Sequence, residues 1–428
     1  MQSLEKTYIA QGSIDKDFCD TELEELFSRA LSTALADTKV TGNIIVVPPD
    51  ISRIHSKAGF FTELCQKKLD NKLAAVLPAL GTHSPMNENE ITQMFGEVPK
   101  EKFITHNWRD DITELGRIEE SFIENLTEGA VRFDWPVQIN KLLCKDIGGF
   151  SLIVSIGQVV PHEVAGMANH SKNIFIGTGG KETIDKSHFV GAAYGMEKIM
   201  GKVNNPVRSL FNEGCNRFGS RMPPILWVLT VVEASTLNTK GLYIGFGNEC
   251  FEKAAQLAQK ININKVEEPL QKTIVSLPPN EYKSTWLGNK AIYRTRMAMQ
   301  NGGELIILAP ALERFGEDPL IDAIIRKHGY VSREKIIETI KSDTQLSGNL
   351  CAAAHLIHGS SEGRFTIRYC PGKKISKEEI LSVGYKWGSL EESLEKYNTN
   401  KLKLGPNTLP CGEQLFFIDN PGLGLWTC

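Results

Sequence analysis

Short apolar runs alternate with segments of helical periodicity along this chain, the signature of an α/β architecture. Asn43–Val47 (NIIVV), Leu73–Leu80 (LAAVLPAL), Ser151–Ile156 (SLIVSI), Ile225–Val232 and Leu242–Phe246 read as strands. Cys250–Lys260 (CFEKAAQLAQK) reads as a helix leading to a domain boundary near Asn262–Leu270. A second α/β set follows: strand Thr273–Leu277, helix Thr285–Met299, strand Glu304–Ala309 and helix Pro319–Lys327. Helices around Arg333–Lys341 and Ser389–Tyr397 and a strand at Phe365–Tyr369 complete it. The pattern predicts two α/β domains, residues 1–266 and 267–407.

Composition agrees, because 428 residues exceed what one hydrophobic core usually organises. With 41% hydrophobic and 23% charged residues the chain resembles ordinary globular proteins. A net charge of −3 gives no general attraction to nucleic acid or to an anionic membrane. No apolar stretch approaches the ~20 residues that span a bilayer, and the N-terminus lacks the basic start and apolar run of a signal peptide. Nine scattered cysteines without a CxxC pair fit reduced thiols. A cytoplasmic protein without nucleic-acid or membrane partners is expected.

Six of the nine histidines (His55, His83, His106, His162, His170, His188) fall between residues 55 and 188. In open α/β sheets ligands bind beyond the carboxyl ends of the strands, and three predicted strands end in reactive residue types. NIIVV runs into Asp50, Ser52 and Arg53; LAAVLPAL runs into Gly81-Thr82-His83; SLIVSI runs into a loop with His162, Glu163, His170 and Lys172. Taken singly, Asp50 reads as a helix N-cap and Arg53 as a solvated side chain. His162-Glu163 lacks the second histidine of an HExxH zinc helix, and Gly177-Thr178-Gly179-Gly180 lacks the spacing of a nucleotide loop. Three such strand ends in one domain describe a site.

The stretch Pro161–His188, PHEVAGMANHSKNIFIGTGGKETIDKSH, resembles the cofactor-anchoring segment of the lactate racemase family. The family's histidine, lysine and histidine fall on His162, Lys172 and His188, with Ala165-Gly166 and Gly177 in register. PPDISR is similar to its D-H-T-R segment (Asp50, Arg53), ALGTHSP to its T-G-F-H-R-P segment (His83), and Gly302-Gly303 anchors a register placing Lys290 on the substrate-binding lysine. The resemblance implies two α/β domains with the active site in the cleft between them, an N-terminal cofactor-binding domain and a C-terminal substrate-side domain. It further implies a C-terminal tail, about 408–428, that returns to the first domain. The chain departs from the family at Trp286 and Leu287, which replace a tyrosine and a glutamine, at Ser84, which replaces an arginine, and over Met167–Ser171.

Inverting a carbon that bears hydrogen, hydroxyl and carboxylate is hard by proton removal, because that C–H is barely acidic. Removing hydride leaves a flat 2-keto acid whose two faces can be refilled. The resemblance implies that the hydride acceptor is a nickel-pincer nucleotide, a pyridinium mononucleotide holding nickel through two thio-acid arms. It gives Lys172 the covalent link to the cofactor, His188 the nickel, Asp50 the ribose, and Gly166 and Gly177 further cofactor contacts. His83 and His162 become the two bases, and Arg53 and Lys290 the cations for the substrate carboxylate. Trp286 and Leu287 precede Lys290 by four and three residues, so one helix would present all three on one face. The pair also fits as core. The expected activity is racemisation or epimerisation at C2 of a 2-hydroxy acid other than lactate, with cofactor-synthesis enzymes as partners. An aldonate 2-epimerase, with Asn349, His355 and His358 supplying polarity, and a non-catalytic nucleotide-cofactor binding protein are the alternatives.

Overall fold

In the computed structural model, which describes residues 5–422 and 424–428, the apolar runs become neighbouring strands. In the first unit these are β1 (Lys6–Gly12), β2 (Ile44–Val47), β3 (Leu73–Val76) and β4 (Leu152–Gln158). A short hairpin of β5 (Pro161–His162) and β6 (Gly166–Met167) follows, then β7 (Ile225–Val232) and β8 (Thr239–Phe246). The six-stranded sheet has the order β1-β8-β7-β4-β2-β3. Strands β7, β4, β2 and β3 are parallel, with Val46 opposite Val154 on one side and Val76 on the other. β1 and β8 close the other edge antiparallel. β2 and β4 are buried at every position, as strands covered on both faces must be.

Helices α1 (Asp20–Thr38) and α2 (Ala58–Leu69) cover one face. Their apolar stripes meet through Phe27 and Phe61, whose ring centres lie 5.2 Å apart. Burying such a side chain stabilises the fold by roughly 1.5–3 kcal/mol. The remaining helices that bear on function are α3 (Ser171–Phe175), α4 (Lys181–Tyr194), α5 (Pro206–Phe218) and α6 (Glu249–Asn262). Trp135 meets Phe175 edge-on and Phe211 at a tilt among these elements.

Contacts divide the chain into one unit of residues 1–190 with 198–262 and another of 191–197 with 263–428. The boundary expected at 266/267 thus falls at 262/263. Residues 408–428, expected to return to the first domain, group with the second unit. The segment 425–427 pairs parallel with 263–265, and Val266 N donates to Thr427 O.

The second unit carries β9 (Leu270–Ser276), β10 (Met299–Ala309), β11 (Thr366–Pro371), β12 (Lys386–Trp387), β13 (Gly405–Thr408) and β14 (Gln414–Ile418). Their order is β12-β11-β10-β9-β14-β13, parallel except for the last pair. The single helix expected over Thr285–Met299 is instead two, α7 (Thr285–Gly288) and α8 (Lys290–Thr295), followed directly by β10. The break is at Asn289, where ψ is −4°. Its buried side-chain carbonyl accepts from the hydroxyls of Tyr369 at 2.8 Å and Tyr385 at 3.2 Å. Tertiary hydrogen bonds override helical periodicity there.

Candidate active site

The sheet order places the reactive residues side by side because β4, β2 and β3 are parallel neighbours that end at the same edge. Pairing of β2 and β3 continues past the strands, with Ala79 N donating to Pro48 O at 2.8 Å. Asp50 and His83 are thereby brought together from 33 residues apart, with Asp50 Oδ2 2.6 Å from His83 Nδ1. Asp50 is buried and also caps the 3₁₀ turn Ile51–Ser56, accepting from Ser52 N at 3.2 Å and from Ser52 Oγ. Burial works against its charge, but the His83 pairing outweighs it and holds the carboxyl below the usual range. The His83 side chain is 63% exposed. Arg53 lies half-buried on the same turn.

β4 ends in the β5–β6 hairpin, where His162 pairs with Gly166. His162 is buried, and its Nδ1 accepts from Val164 N at 3.1 Å and Ala165 N at 3.4 Å. Gly166 closes this hairpin at φ +73°, and a Cβ there would lie 2.0 Å from Lys202 O. Only glycine fits. At Gly177 a Cβ would meet Asn173 O at 2.4 Å, and Gly177 O accepts from Gly81 N at 2.8 Å, tying this turn to the His83 loop. Close packing accounts for both glycines that sequence assigned to the cofactor.

Lys172 sits in the short helix α3, after two left-handed residues, Asn169 (φ 67°) and His170 (φ 56°). Such backbone needs to be held. Arg208, buried on α5, donates to Asn169 O at 3.2 Å, to Ser171 Oγ at 3.0 Å and to Met167 O. The His170 ring is clamped between Trp227 and Phe251, with Nε2 donating to Gly247 O at 3.0 Å. Asn173 ties α3 to the sheet, donating to Val47 O on β2 and Ser155 Oγ on β4. Burial, then the charge of Arg53, lowers the Lys172 pKa to about 8, against Glu163 and Asp50.

His188 lies on α4, and its Nδ1 is 2.7 Å from Ile184 O. A carbonyl only accepts, so Nδ1 carries the proton and Nε2 keeps its lone pair. Burial drives the imidazole pKa down to about 4, helped by Lys172. Lys172 feels the charges of Arg53, Glu163 and Asp50, and His188 those of Lys172 and Glu163, so the first unit gathers these residues near one another. Among the described residues no group of three His, Cys, Asp or Glu converges on a metal position. No described helix is long and apolar enough to cross a membrane.

Trp286, Leu287 and Lys290 belong to the second unit and are all half-buried, so the pair is not sealed core. The break at Asn289 separates Lys290 from the other two. Trp286 stacks 4.3 Å from His355, whose Nε2 is 3.0 Å from Tyr330 Oη. Asn349 caps the helix Leu350–His358, and His358 is buried edge-on to Tyr293. The polarity considered for an aldonate tail is therefore taken up inside this unit at Asn349 and His355.

Sequence reasoning missed Arg208 and Asn173 as supports for Lys172, and Glu163 as the carboxylate acting on both Lys172 and His188. Glu163 stood in the quoted motif, beside His162. Arg208 lies 36 residues beyond Lys172 on another helix, and no local pattern marks it.

Residues 16–199 match the family described as lactate racemase N-terminal domain. A sequence comparison with curated proteins gives no match. A structural-genomics protein from Thermotoga maritima shares the fold, with 23% identity and a TM-score of 0.77 over 98% of this chain and 99% of that one. The lactate racemase apoprotein from Thermoanaerobacterium thermosaccharolyticum does so at 16% identity and a TM-score of 0.71, over 98% and 94%. Both likenesses establish the α/β fold. The family match lies within the first 199 residues, and it is this part of the chain that is similar to a lactate racemase N-terminal domain.

Proposed function

We propose that this protein is a racemase or epimerase that inverts the hydroxyl-bearing C2 of a 2-hydroxy acid, loaded with a nickel-pincer nucleotide at Lys172 and His188. The observation that carries this reading is the donor chemistry of those two residues. His188 spends Nδ1–H on a backbone carbonyl and keeps Nε2 for a metal, the arrangement that ligating histidines adopt. Lys172 has an amine held near neutrality, as a residue that must form an amide-type bond requires. Their surroundings fit the group. Such a cofactor, when bound, supplies a reversible acceptor for hydride.

The chain's own residues supply the rest. His83 and His162 address the substrate oxygen, while Arg53 and Lys290 provide cations for its carboxylate. Asp50, expected on the ribose, is engaged with His83, which supports a place in proton transfer. A carrier of the nucleotide has no use for an oriented Asp–His pair, which argues against the non-catalytic alternative. Trp286 and Leu287 stand where two hydrogen-bonding residues would be, so the substrate tail is larger and more apolar than that of lactate. An aldonate is disfavoured because Asn349 and His355 are engaged within their own unit.

The test is protein co-produced with the cofactor-synthesis enzymes. It should carry nickel and an adduct that Lys172→Ala abolishes, and it should invert single enantiomers of longer aliphatic or aromatic 2-hydroxy acids faster than lactate. An adduct mapping to another residue refutes the anchor. Failure to invert any 2-hydroxy acid or aldonate refutes the activity, and a preference for lactate refutes the argument from Trp286 and Leu287.

A further inference from the structure

We propose that Tyr282 and Asn420 are positioning residues for Lys290: the segment 419–422 holds the Tyr282 ring, and that ring holds the Lys290 ammonium. This rests on the role proposed above for Lys290 and names what sets its place.

The sheet of the second unit brings the three together. β9 and β14 are parallel neighbours, with Val275 opposite Ile418, so their carboxyl ends lie side by side. Ligands of open α/β sheets bind at such an edge. The chain leaving β9 turns at Pro278, whose carbonyl accepts from Glu281 N at 3.1 Å and Tyr282 N at 3.2 Å, and goes on to α8 at Lys290. The chain leaving β14 arrives at Asn420. Tyr282 is 2% exposed, whereas Lys290 is half-buried, with its Nζ 5.7 Å from the centre of the Tyr282 ring. At that separation an ammonium is drawn to an aromatic face.

The orientation of Asn420 is forced. Its Nδ2 lies 3.2 Å from both carboxylate oxygens of Glu281, which only accept, and its Oδ1 lies 2.8 Å from Gly422 N, which only donates. The amide cannot be turned over, so its Oδ1 accepts from the Tyr282 hydroxyl at 2.9 Å. Burial, then the Glu281 charge, pushes the phenol pKa up, so the hydroxyl keeps the proton it donates. A Cβ at Gly422 would lie 2.9 Å from Tyr282 Oη, so the segment closes on the hydroxyl only with glycine there. Tyr282 is thus held at its polar end by a residue 138 positions away in sequence and offers its ring to Lys290. A long, flexible lysine resting on a fixed ring samples fewer positions, which favours binding of a substrate carboxylate.

The test reads the lysine before any turnover. Full-length, cofactor-free protein is reductively methylated with carbon-13 formaldehyde, and the Lys290 dimethylamine signal is assigned with Lys290→Arg. The ring should displace its proton shift upfield from that of solvated lysines, and Tyr282→Leu should return it to their position. Tyr282→Phe, which keeps the ring without the hydroxyl, and Asn420→Ala should each move it part of the way, and the double variant no further than either alone. Ile336→Ala, a core truncation on the helix Arg333–Ile340, should leave it in place. A wild-type signal at the solvated position, one that Tyr282→Phe and Asn420→Ala do not move, or one that Ile336→Ala moves as far, overturns the proposal. In loaded protein Tyr282→Phe and Asn420→Ala should raise KM about 2–5-fold with kcat within about 2-fold, as loss of uniform substrate binding does. An unchanged KM, or a fall in kcat alone, overturns it. If loaded wild type inverts nothing, the function falls and the lysine spectra still decide whether Tyr282 and Asn420 hold Lys290.

Discussion

Lys172, the proposed cofactor anchor, is desolvated at a cost to the fold, and Lys172→Met should expose that cost. Moving its pKa from 10.5 to about 8 corresponds to roughly 3 kcal/mol at about 1.4 kcal/mol per pH unit. The side chain is half-buried and keeps some water, which reduces the figure to about 2 kcal/mol. The sign follows from proton counting. Between pH 8 and 10.5 the unfolded chain binds the proton and the folded one does not, so stability rises with pH across that window. At pH 7 both states are charged and the full penalty applies. Lys172→Met should therefore raise the melting temperature of cofactor-free protein at pH 7 by about 4–8 °C, at roughly 2–4 °C per kcal/mol for a unit of this size. Calorimetry at pH 7 and pH 10.5 checks this, and the gap should narrow sharply at the higher pH. A variant no more stable than wild type at pH 7, or a gap that persists unchanged at pH 10.5, refutes the reasoning.

His188→Ala should strip nickel from co-expressed protein with little change in melting temperature, whereas His83→Ala should retain the metal; metal analysis of both decides. Burial holds His170 and His355 at about 3 and His188 at about 4. Because the unfolded rings take a proton near 6.5, this stability is present above pH 6.5 and is lost as pH falls toward 4. Urea midpoints at pH 7, 5.5 and 4.5 should decline in that order, and a flat series would count against neutral burial. Gly166→Ala should cost ~2 kcal/mol or more in denaturant melts, since a left-handed backbone and a Cβ 2.0 Å from Lys202 O combine. Arg208→Met strands the carbonyls of Met167 and Asn169, at about 1–3 kcal/mol each, and should quicken hydrogen exchange over residues 167–173.

The sequence determined the strands of the first unit, because a parallel strand covered on both faces must be a nearly unbroken apolar run. β2 and β4 show this directly. It also determined that the reactive residues follow strand ends, and the order His162, Lys172, His188 on which the resemblance to the lactate racemase family rests. It could not determine which strands are neighbours. Asp50 meets His83 only because β2 and β3 pair in parallel and continue pairing to Ala79. Tertiary structure brought the Asp50 carboxylate to His83, whereas the amide and carbonyl partners of His162 and His188 come from their own hairpin and helix turn. It also recruited Arg208 from a distant helix to hold a left-handed turn, and broke the expected helix at Asn289, where two tyrosine hydroxyls claim a buried carbonyl. Periodicity records which face of a segment is apolar. It carries no record of which polar group will lie opposite, and at this site that pairing fixes both the charge and the proton.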